Sequence, residues 1–100
     1  MELTPEEVCN YLKVEEPEDV ALVGVLTPAA ISFCETKLKR PILDANMDAS
    51  NMWIVPEEIR IAAYMLASHW FENRSPVGQV TQEIDFTINA ILGPHRFRNV

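Results

Sequence analysis

Residues 56–73 form a helix with almost no polar face, and this stretch constrains the fold more than any other. Pro56 suits a first helical position, where a missing N–H costs nothing, and Glu57 and Glu58 set carboxylates at the positive end of the helix dipole. Of the thirteen residues 59–71, only Arg60, Ser68 and His69 are polar. At 100° per residue Ile59, Ala62, Ala63, Leu66 and Trp70 share one face, while Ile61, Tyr64, Met65 and Phe71 lie on the other side. A helix that is apolar nearly all round must be buried nearly all round. A chain of 100 residues has little with which to cover it. Part of that surface is therefore expected to meet another subunit.

The remaining segments read as shorter helices. Thr4-Pro5-Glu6-Glu7 is a capping box with proline at the first helical position, followed by Val8, Tyr11 and Leu12 on one face and an end near Lys13. A second helix is expected to begin between Pro17 and Asp19 and to run to about Lys39. It carries Val20, Val23, Leu26 or Thr27, Ala30, Ile31, Cys34 and Leu38 at helical spacing. Pro28 interrupts it and crowds the Gly24 carbonyl. Either the helix kinks there, or Thr27 caps a fresh one; the reading favours one kinked helix. Residues 42–55 have no helical period and form a long loop, a kind of segment that is usually functional or mobile. After a turn at 75–79, Thr81 is a candidate cap for a last helix with Ile84, Ile88, Ile91 and Leu92 as its stripe. Gly93 is expected at a left-handed stop, with Pro94 beyond it. The fold class is thus all-α, a small bundle of four helices with a long loop between the second and third. It makes a single domain over residues 1–94 with a short basic tail at 95–100.

Charge and cysteine content narrow the function. The net charge of -7 arises at the front, where Glu2, Glu6, Glu7, Glu15, Glu16, Glu18 and Asp19 face only Lys13. The rest is nearly balanced, which disfavours binding of nucleic acid by counterion release. Cys9 and Cys34, without a secretory signal or a dense cysteine pattern, read as reduced core thiols. No run of apolar residues reaches the ~18 of a membrane span, so a cytoplasmic site of synthesis and no membrane partner are expected.

Candidates for chemistry are few. His69 reads as a half-buried histidine donating to a backbone carbonyl. The pair His69 and Glu72 reaches metal-ligand spacing, but has only His95 as a further histidine. Neither cysteine has a histidine to activate it. No glycine-rich phosphate loop or nucleophile elbow occurs. No catalytic, cofactor or metal residue is assigned, and no enzyme activity is expected. Met47, Met52 and Trp53 either fold back on the core or form a docking surface.

The assembled pattern resembles the head–tail connector (adaptor) family of long-tailed bacteriophages and prophages, over the length of the chain. Leu3-Thr4, Glu7-Val8 and Tyr11-Leu12-Lys13-Val14 look like its opening helix. Asp19-Val20-Ala21-Leu22 with Ala29-Ala30 resembles its second helix and Arg40-Pro41 the exit from it. Val55-Pro56-Glu57-Glu58-Ile59-Arg60 with Ala67-Ser68-His69-Trp70-Phe71-Glu72-Asn73-Arg74 is the most specific part, and Leu92-Gly93-Pro94-His95-Arg96 looks like the close. The chain departs from the pattern at Lys39, where the family has glycine, at His95, where it often has tyrosine, and at Glu83-Ile84-Asp85-Phe86 before the last helix.

The resemblance implies a structural virion protein at the head–tail interface. It would form a homo-oligomeric ring below the portal protein, extend the channel through which DNA passes without specific binding, and present a platform to a tail-side stopper or completion protein. Ile61, Tyr64, Met65 and Phe71, with Met52 and Trp53, are then expected at subunit contacts, and Ile59, Leu66 and Trp70 in the subunit core. Arg96, Phe97 and Arg98 are expected at the portal. The alternative is a small helical module that forms a heterodimer in regulation or associates with nucleic acid. It lacks a basic helix suited to base edges.

Overall fold

The structure, a computed structural model, describes residues 1–73 and 82–96. It is all-α, with helices α1 (Pro5–Leu12), α2 (Pro17–Leu38), α3 (Glu57–Asn73) and α4 (Gln82–Leu92), two short 3-10 helices (Asp44–Asn46 and Gly93–His95), and no strand among the described residues. The fold class, the helix count and the long connection between α2 and α3 are as the sequence predicts. Thr81 as a cap and the turn at 75–79 lie outside the described residues.

Four helix ends follow from local chemistry. The Thr4 hydroxyl oxygen accepts the Glu7 N–H at 3.3 Å and so caps α1. The capping box is only half made, because the Glu7 carboxylate turns away from Thr4 to the side chains of Arg60 and Tyr64 on α3. At the other end Lys13 adopts the left-handed conformation (φ 59°), and the Val14 N–H closes on the Cys9 carbonyl at 3.0 Å. α2 ends in the same way, with Lys39 at φ 58° donating to the Glu35 carbonyl at 2.9 Å. Gly93 makes no left-handed stop; the chain tightens into the 3-10 turn Gly93–His95. Pro94 inside that turn needs no N–H, so the helix tightens there instead of reversing.

α2 is continuous through Pro28, and Thr27 is not a cap. Its hydroxyl donates to the Val23 carbonyl at 2.9 Å, which satisfies a buried polar group within the helix itself. Pro28 is exposed, so its ring meets solvent and not a neighbouring helix. At 22 residues, with an 18-residue window of mean hydropathy 1.3, α2 is long and apolar enough for a membrane span, although its apolar residues form no unbroken run. Within this molecule Val23, Leu26, Ala30, Ile31, Cys34 and Leu38 are buried, and α2 packs on α1, α3 and α4.

The core lies between α2 and α3. Ile59, Ala62, Ala63, Leu66, Ala67 and Trp70 are buried, which is the face predicted by the 100° rule with Ala67 added. Trp70 meets Phe33 of α2 edge to face, with ring centroids 6.0 Å apart at 88°, an arrangement worth about 0.5–1.5 kcal/mol beyond area burial. Val8 and Cys9 of α1 and Ile88 and Leu92 of α4 complete the core. Both cysteines are buried thiols.

Candidate functional site

The loop between α2 and α3 is held by one carboxylate. Glu35, in the last turns of α2, accepts the Ile42 N–H at 2.8 Å, the Leu43 N–H at 3.4 Å and the Asn46 side-chain amide at 3.1 Å. These bonds draw Ile42 fully into the core and shape the 3-10 helix Asp44–Asn46. Asp44 also pairs with the amino group of Met1, and its N–H donates to the Met1 carbonyl at 3.0 Å. The loop is therefore anchored at its start and free of helical pattern afterwards.

Beyond that anchor, four side chains join four segments. The Arg40 guanidinium lies 3.5 Å over the Trp53 ring, and the Trp53 indole N–H donates to the Pro41 carbonyl at 2.6 Å. Arg40 also donates to the His95 carbonyl at 3.4 Å. The His95 ring is 2.6 Å from the Glu58 carboxylate in the first turn of α3. Thus the exit of α2, the loop, the start of α3 and the turn after α4 meet at one corner. The cation–π contact is worth about 0.5–2 kcal/mol, depending on how far solvent is excluded.

A second polar seam binds α1 to α3. Arg60 reaches Glu7 at 2.7 Å and Glu57 at 3.2 Å, and the Tyr64 hydroxyl donates to the same Glu7 carboxylate at 3.2 Å. Partial burial works against the Arg60 charge, but the bond to Tyr64 and the acids Glu57 and Glu7 outweigh it and raise its hold on the proton. The Tyr64 ring also stacks on Tyr11 with centroids 5.1 Å apart.

The residues expected at subunit contacts therefore have unequal surroundings. Ile61 is 48% exposed and Met52 72% exposed. Tyr64, Met65, Phe71 and Trp53 are half-buried against the subunit's own core. Met52 and Trp53 part company within the loop: the first points outward, while the second folds back under Arg40. Of the expected portal contacts, Arg96 is exposed after the 3-10 turn, and Phe97 and Arg98 lie outside the described residues.

Sequence reading missed several exposed apolar residues. Ile54 is 94% exposed, Phe86 76% and Val25 63%. Phe86 carried a legible signal, since it falls about 200° from Ile88 on the helical wheel and so off the buried stripe. Ile54 carried none, because a loop has no period to violate. Arg40, Glu58 and His95 were also missed as a group; they are far apart in sequence and only the fold unites them.

The chemistry of these groups is that of holding. The Cys34 thiol is pushed up to about 12 by burial first and by the nearby Glu35 charge second, so at neutral pH it is protonated. Among the described residues no three metal-ligating side chains gather. His69 is half-buried on α3, and Glu72 accepts from the Ser68 hydroxyl at 3.5 Å. Comparison with protein-family models, with curated proteins and with solved structures finds no match to this chain.

Proposed function

We propose that this chain is a ring-forming head–tail connector of a long-tailed bacteriophage or prophage, a structural virion protein and not an enzyme. In this role it sits between the portal and the tail-completion proteins and extends the DNA channel. One observation carries the reading beyond the resemblance: a 100-residue bundle leaves Ile61, Met52, Ile54, Val25 and Phe86 exposed on several elements. Exposed apolar side chains on α2, α3, α4 and the loop give contact points for a subunit with neighbours on two sides and partners above and below. The half-buried Met65 and Phe71 lie at helical spacing from Ile61 on α3 and extend that surface, while Tyr64 is partly covered by Tyr11 and Glu7 of α1. Arg96, with Phe97 and Arg98, is the proposed contact with the portal.

Deleting the gene from the phage or prophage that carries it is the direct test. Filled heads and free tails, unjoined in the electron microscope, are the expected result. Complete virions from the deletion strain, or a gene that lies outside any phage or prophage, would refute the role.

A further inference from the structure

Two hollows open at the C-terminal end of α2. One, of about 290 Å³, is lined by Lys39, Arg40 and Met52. The other, of about 440 Å³, lies between α2 and the end of α4, against Lys37, Asn89 and Arg96. No carboxylate lines either hollow among the described residues. Of the acids at this end, Asp44 pairs with the amino group of Met1, Glu58 lies against His95, and Glu35 and Asp48 keep their charge while bonded to loop N–H groups and to Ser50. Lys37, Lys39, Arg40 and Arg96 outnumber those last two around the hollows. Lys37 and Arg40 rest on the rings of Phe33 and Trp53, contacts that orient the cations without neutralising them.

The opposite end of α2 has the opposite sign. Glu15, Glu16, Glu18 and Asp19 crowd the tight turn between α1 and α2, with Lys13 the one cation in residues 13–19 and Val20 partly exposed beside them. The 22 residues of α2 separate the two ends by about 33 Å at ~1.5 Å per residue. Screening over ~8–10 Å at ordinary salt prevents the two ends of one molecule from neutralising each other.

We propose that the acidic α1–α2 turn of one copy of this chain seats in the basic hollows at the C-terminal end of α2 of the next copy. This deepens the connector reading and rests on it, by naming the contact that builds the ring. Val20 and Met52 supply apolar contact inside a charged rim, the arrangement typical of protein interfaces. The contact is head to tail, so every added copy leaves one acidic and one basic end free until the ring closes. An antiparallel pair would match the same charges but would consume both ends and stop at two.

Two charge-reversed variants test the contact: Glu15→Lys with Glu18→Lys, and Lys37→Glu with Lys39→Glu. Sedimentation at low salt is expected to show the unmodified chain forming species larger than a dimer, with association at least tenfold weaker at high salt. Each variant alone should be monomeric, and an equimolar mixture should assemble again, because the reversed ends are complementary. If charge reversal at the helix ends unfolds either chain by circular dichroism, the neutral pairs Glu15→Gln with Glu18→Gln and Lys37→Gln with Lys39→Gln serve instead. Each should then weaken assembly severalfold. Assembly that stops at the dimer, variants that assemble as the parent does, a folded mixture that stays monomeric, or a parent chain monomeric at all concentrations would each overturn the proposal. The gene deletion reads the connector role separately, so the contact and the role can fail independently.

Discussion

At the scale of single residues, two positions carry energy that their sequence context conceals. Lys39 closes α2 at φ 58°, a conformation in which its Cβ crowds the carbonyl and in which glycine has no such penalty. Lys39→Gly is therefore expected to raise stability by about 0.5–1 kcal/mol, read as a higher denaturant midpoint at unchanged slope. Cys34 behaves in the opposite sense. Its pKa in the folded state is raised by burial, so its contribution is fully present below the ordinary thiol pKa and is lost as pH climbs from 9.0 toward about 12. The stability advantage of the parent over Cys34→Ala should shrink across that window, by about 1.4 kcal/mol per pH unit at most. Urea titrations at stepped alkaline pH would measure it, and a constant difference would contradict the buried, protonated thiol.

At the scale of elements, α2 shows how tertiary packing overrules a local breaker. Pro28 removes one backbone bond, that to the Gly24 carbonyl, yet the helix runs through from Pro17 to Leu38. Burial of Val23, Leu26, Ala30 and Ile31 on both sides of the proline outweighs the loss, at ~1.5–3 kcal/mol for each large side chain fully buried. Pro28→Ala restores the bond, worth about 3 kcal/mol in a helix interior, and frees the unfolded chain by about 0.4–1 kcal/mol. A net gain of about 2 kcal/mol is expected by chemical denaturation, and a loss would mean that the Pro28 ring packs in the folded state. The helices themselves were legible in the sequence, because caps and a 3.6-residue period are local signals. The left-handed stops were less so: a glycine at 93 advertised one that is not made, while Lys13 and Lys39 advertise nothing and make two. Glu7 was read as half of a capping box, a local role, and the structure gives its carboxylate to Arg60 and Tyr64, more than fifty residues away.

At the scale of the whole molecule, the long apolar helix α3 finds most of its cover within the subunit. α2 takes the Ile59–Leu66–Trp70 face, and α1 covers Tyr64 through Tyr11 and Glu7. What remains uncovered on α3 is centred on Ile61, and the loop adds Met52. Ile61→Glu with Met52→Glu is expected to leave helix content and thermal midpoint nearly unchanged, since both side chains are largely exposed, and to weaken assembly of the chain by tenfold or more in light scattering. Unimpaired assembly would remove Ile61 from the subunit contact and leave the joint to the two ends of α2. The sequence by itself determined the class of fold, the number of helices, the buried face of α3 and the acidic front of the chain, whereas Tyr11 and Val20, expected on buried faces of α1 and α2, are exposed. Periodicity, caps and charge are properties of neighbours along the chain. Only the tertiary structure decided which apolar residues stay exposed, that Arg40, Trp53, Glu58 and His95 fasten one corner, and that Glu7 of α1 reaches Arg60 and Tyr64 of α3. The bonds of that corner and that seam join residues 12 to 57 positions apart, and no local signal encodes a distance that only folding closes.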